Sequence, residues 1–193
     1  MNEREKRLIV AHRYICALLD IRREHGFWMT GGMTWNSMKW LYGDVMISRR
    51  ALVEWFGRPQ VSGYQHPAAA LGGKKGSRSF VAEHVFPTKA FQGLILERYT
   101  HTNPQLEEVR DLLSSYNRIC YVWFEEDSAL ERAGLKSRIP TDSEPADVFG
   151  RYRAVGIDAI ATQFPDGRPL FRYLAALRSK GVTADEVISE LEA

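Results

Sequence analysis

At 193 residues, with 45% hydrophobic and 11% aromatic content, the chain can bury one sizeable core, and its 26 basic against 24 acidic residues exclude the global positive field of a nucleic-acid coat protein. Any polyanion site must therefore be a local patch. Cys16 and Cys120 sit in apolar surroundings as reduced core thiols, which excludes a disulfide framework or a cysteine-based zinc site. The N-terminus alternates charges and no apolar run approaches ~18 residues, so neither a signal peptide nor a membrane span is expected, and the expected compartment is the cytoplasm.

Residues 3–25 predict an amphipathic helix with Leu8, Ala11, Ile15, Leu18 and Leu19 on one face, ended by Gly26. Thr34 caps a short helical stretch through Trp35, Met38 and Leu41. Ser48 is a good N-cap for a helix carrying Ala51, Leu52, Trp55 and Phe56 before Gly57. These two segments have the skeleton of a helix-turn-helix that would present Arg49 and Arg50 to nucleic acid; an ordinary helical hairpin with two solvated arginines is the plainer reading. Pro59, Gly63, Pro67, Gly72, Gly73 and Gly76 make 58–79 a long loop or flap.

Ser79–Val85 predicts a strand, and Thr88–Arg98 a helix burying Phe91, Leu94 and Ile95. Asn103-Pro104 reads as the cap and first position of a helix with Leu106, Val109, Leu112, Leu113 and Tyr116 on its inner face. The run Arg118–Phe124, rich in β-branched and aromatic residues, is the strongest strand signal and is expected to pair with Ser79–Val85. Glu125–Ala133 predicts a short helix ended by Gly134, and Lys136–Pro145 a polar loop. The C-terminal third predicts helices over Ala146–Val155 and Pro169–Lys180, and a last one opened by a Thr183/Glu186 capping box. With no repeat or linker, this is a single mostly helical domain, residues 1–193, around a small β-sheet: an α+β fold.

Chemistry concentrates at Gly72–Phe91. Imidazole titrates near neutrality, so His84 is a candidate base, and Glu83 could raise its basicity or bring a metal ion alongside. Neighbours on a strand point to opposite faces, so the two share a site only if the strand ends or bulges there. The alternative is a histidine that braces the strand end. The glycine-flanked cations Lys74, Lys75 and Arg78 could wrap phosphate oxygens or be merely solvated. Glu125-Glu126-Asp127 follows a strand, where carboxylates can hold a metal ion, but it equally suits the first turn of a helix through the macrodipole.

Glu83-His84-Val85-Phe86-Pro87 resembles the start of the HNH, or ββα-metal, nuclease motif. The resemblance implies a nucleic-acid-acting protein, a divergent metal-dependent endonuclease in which His84 activates water and Glu83 helps hold a divalent cation, Mg or Mn. Lys74, Lys75, Arg78 and Lys89 would then contact the phosphates of DNA or RNA. The competing expectation is a non-enzymatic binding protein (an inhibitor, adaptor or regulatory subunit) that recognises a protein or nucleic-acid partner.

Overall fold

The computed structural model describes residues 1–26, 43–57, 80–142, 144, 147–164 and 167–193. The expected helix from Thr34 and the loop at 58–79 lie outside them. In chain order the elements are α1 (Glu3–His25), β1 (Val45–Ser48), α2 (Arg49–Gly57), β2 (Phe80–His84), α3 (Thr88–Arg98), α4 (Leu106–Tyr116), β3 (Ile119–Trp123), α5 (Phe124–Arg132), α6 (Gly150–Ala154), β4 (Ala159–Ala161), α7 (Gly167–Ser179) and α8 (Ala184–Glu192). The fold is mostly helical α+β, as the sequence implied.

The four strands form one mixed sheet in the order β2-β3-β1-β4. Its central strands, β1 and β3, run parallel, while β2 and β4 flank them antiparallel. All five residues of β3 are buried, which is why its sequence is a continuous apolar run rather than an alternating one. The expected pairing of β3 with β2 holds, from Phe80↔Trp123 to His84↔Ile119.

Alternation along the strands divides the core. One face carries Phe80, Tyr121, Trp123, Val45 and Ile47 and is covered by Leu52 of α2, Leu170, Phe171 and Leu174 of α7, and Val187 and Ile188 of α8. The opposite face carries Met46, Cys120 and Val122 beneath Leu130 of α5 and Tyr152 of α6. A third cluster joins α1, α3 and α4 through Leu8, Ile15, Ile95, Val109 and Leu113.

Most helix ends follow their sequence signals. Gly26, at φ 70°, closes α1, and Thr183 with Glu186 opens α8. Three expectations are corrected. Asn103 does not cap α4: its side chain joins Asp20 and Arg23, while the Glu108 carboxylate accepts the Gln105 N–H at 2.8 Å and sets the start at Leu106. The helix expected at Ala146–Val155 shrinks to Gly150–Ala154, because the Asp147 carboxylate accepts the Phe149 N–H in a preceding turn. The C-terminal third also contains a strand, β4, held against β1 by the pairs Met46↔Ala161 to Ser48↔Ala159.

Candidate functional site

Strand β2 fixes where Glu83 and His84 go. Its ladder runs without a bulge to His84↔Ile119, so the two side chains leave opposite faces of the sheet. Glu83 takes the side of Val81, Cys120 and Val122, and His84 the other. β2 ends at His84, but the Val85 N–H still donates to the Arg118 carbonyl at 2.9 Å, so nothing at the strand end turns the two side chains to one centre.

Glu83 instead meets Arg151. The Arg151 guanidinium, 1% exposed, donates from Nη2 to Glu83 Oε1 at 2.8 Å, from Nε to the Val85 carbonyl at 2.9 Å, and from Nη1 to the carbonyls of Leu135 at 3.1 Å and Lys136 at 2.9 Å. These bonds satisfy a buried cation that would otherwise be costly to desolvate. The same Lys136 reaches the other way with its side chain, where Nζ donates to Asp127 Oδ2 at 2.9 Å. A continuous hydrogen-bonded path therefore links Glu83, Arg151, Lys136 and Asp127. The second Asp127 oxygen, Oδ1, is buried with no hydrogen-bond partner. Burial pushes the Glu83 carboxyl above the usual carboxylate range; Arg151 opposes this and the Asp127 charge adds to it. Alongside, burial holds Cys120 and Tyr152 in their neutral forms.

The first turn of α5 behaves as the macrodipole reading expects. Glu126 Oε2 accepts the Trp123 N–H at 2.7 Å and the Ser48 hydroxyl, and Ser48 Oγ in turn accepts the Ala51 N–H at 3.0 Å. One chain of hydrogen bonds thus ties the ends of β1 and β3 to the starts of α2 and α5. Burial raises the Glu126 pKa, with the Ser48 and Trp123 donors opposing.

The other sequence candidates are dispersed. Arg49 pairs with Asp158 at 2.7 Å and with Glu192, pinning α8 to the sheet edge. Arg50 lies 3.6 Å from Glu125 and 4.0 Å from Glu54, and β1 runs directly into α2 ahead of both arginines. Lys89 is exposed near the start of α3. Lys74, Lys75 and Arg78 lie outside the described residues.

Sequence reasoning missed Asp127, Lys136 and Arg151 as partners of Glu83. Asp127 offered a signal, since it precedes the buried Leu130 by three residues and so shares the inward stripe of α5. Arg151 offered none, standing 68 positions from Glu83. Among the described residues no group of three or more His, Cys, Asp and Glu side chains is placed to hold a metal ion. No described helix is long and apolar enough to cross a membrane. No family model, curated protein or solved structure matches the chain.

Proposed function

We propose that the protein acts on nucleic acid as a metal-dependent phosphodiesterase, with Glu83, Asp127 and Lys136 as its working cluster. The carrying observation is the arrangement of charge: Glu83 is paired with the buried Arg151, and Asp127 with Lys136, an ammonium whose side chain is 46% exposed. A divalent ion held by Glu83 and Asp127 would supply Lewis acidity and activate water there. Lys136 would orient a phosphate oxygen. Lys74, Lys75 and Arg78 join as phosphate contacts on the strength of the sequence alone.

The test is incubation with plasmid, single-stranded DNA and RNA, with Mg²⁺ or Mn²⁺ and with chelator. Metal-dependent cleavage lost in Asp127→Asn and retained in His84→Ala is the expected result. No cleavage by the parent protein would sink the reading.

One observation favours a second reading. Four of the five N–H donors of Arg151 are taken by Glu83 and three carbonyls, as in a framework element. A non-enzymatic inhibitor, adaptor or regulatory subunit is then the proposal, and its mark is a stable protein or nucleic-acid complex with intact nucleic acid.

A further inference from the structure

From Lys136 to Ile139 the chain makes no backbone-to-backbone hydrogen bond among the described residues, so no helix or strand holds it in place. A buried side chain does so instead. Arg151 donates from Nη1 to the carbonyls of both Leu135 and Lys136. The same guanidinium is tied to β2, an edge strand of the sheet, through Nε to the Val85 carbonyl and through Nη2 to Glu83 Oε1. The main chain at Lys136 is therefore fastened to the sheet by one planar fork.

The tip of the lysine is fastened as well. Its Nζ donates to Asp127 Oδ2, and Asp127 is itself buried on α5. An ammonium carries three N–H donors; the other two have no protein partner among the described residues, and the side chain is half-exposed. Held at both ends, such a lysine gives up less rotamer freedom on meeting an anion than a free surface lysine does. Lys89 and Lys180 are exposed and their side chains have neither anchor among the described residues.

We propose that Arg151 is a positioning residue for the Lys136 ammonium: through the Leu135 and Lys136 carbonyls it holds two N–H donors ready for a phosphate oxygen of nucleic acid. The inference rests on the phosphodiesterase reading and gives Arg151 a part in it. It explains why a buried guanidinium directs two of its donors to a loop rather than to a helix or strand. Arg151 touches no substrate and acts only through Lys136. A lysine in its place would keep the charge opposite Glu83, but an ammonium has three donors for these four acceptors and no planar fork to span them.

Two measurements on the full chain test this. Carbon relaxation at lysine Cε reports how firmly each ammonium is held: in the parent Lys136 should be more ordered than Lys89 and Lys180, and in Arg151→Lys it should fall to their level. Equal mobility of the three lysines in the parent overturns the inference without any variant, so the test stands even if Arg151→Lys fails to fold. The second measurement is binding of a short fluorescent thymidine oligonucleotide, with chelator present and across a salt series. Lys136→Met should weaken it about tenfold and flatten the salt slope by about 0.7, the share of one phosphate contact on a single strand. Arg151→Lys should weaken it about threefold and leave the slope unchanged, because the contact is kept and only its preorganisation is lost. Parent affinity in Arg151→Lys overturns the positioning role, while a loss in Lys136→Met alone leaves the phosphodiesterase reading standing. Binding that is equal in the parent and Lys136→Met overturns the phosphate contact, and no binding by the parent overturns that reading and the contact together.

Discussion

The two faces of the sheet are built by opposite rules. On one, Phe80 packs against Trp123, Phe171 and Trp55 with ring centroids 5.3, 5.2 and 5.6 Å apart, and Tyr121 meets Phe171 at 4.8 Å. Such contacts bury large apolar area in preferred edge and tilted geometries. On the other, Val122 and Leu130 share their space with Glu83, Arg151, Asp127 and Glu126, all largely buried and charged. Replacing a buried ion pair by packed hydrophobic residues is often neutral or stabilising, so stability alone does not account for the second face. The aromatic face holds the fold together, and the charged face is where the proposed chemistry would be done.

The strongest way to break this comparison is Val122→Asp. Val122 is fully buried in β3 on the charged side, yet its own neighbours there include Val81, Cys120 and Leu130. An added carboxylate finds no partner and should unfold the protein or make it insoluble. A well-expressed variant with unchanged melting would mean that this face is polar throughout, not apolar with a charged network inset.

Arg151→Met is expected to destabilise by about 3–5 kcal/mol, because it leaves Glu83 buried without its counter-charge. Adding Glu83→Leu should recover part of the loss. The remainder reports the carbonyls of Val85, Leu135 and Lys136, which neither change can satisfy. Denaturant unfolding of the parent, both single variants and the double variant closes the cycle. Full recovery in the double variant would show that the three carbonyl bonds contribute nothing.

What could be read from the sequence divides along a related line. Strand β3 announced itself because both of its faces are buried, and α1, α4 and α8 because of their apolar stripes, helped at α1 and α8 by end signals at Gly26 and at Thr183 with Glu186. Strand β1, four residues long, was hidden as the lead-in to α2, and β4, Ala159–Ala161, contains a single branched residue. Neither has a local pattern strong enough to declare a strand, and both exist because tertiary pairing supplies what propensity does not. The site divides similarly. Glu83 stood out beside His84, but the groups that define its chemistry come from α6 and from the start and far side of α5, and adjacency in sequence suggested the wrong companion. Charged partners brought together by packing leave no periodic trace.

The smallest effect sharpens the comparison at the seam between the faces, where Ser48 serves both. Its oxygen caps α2, which packs on the aromatic side, and its proton goes to Glu126 of α5 on the charged side. Ser48→Ala should cost about 1 kcal/mol, the usual loss for a helix cap. It should also change the pH dependence. Burial already raises the Glu126 pKa above its unfolded value, so the folded state holds this proton more tightly; the associated stability is full at acidic pH and is lost as pH rises through the folded pKa. Removing the Ser48 donor, which favours the ionised form, raises that pKa further and steepens the loss. The gap in melting temperature between parent and variant should therefore be smaller at pH 5 than at pH 7.5. A gap that is constant across that range would show that Ser48 acts on α2 alone and that Glu126 draws no stabilisation from it.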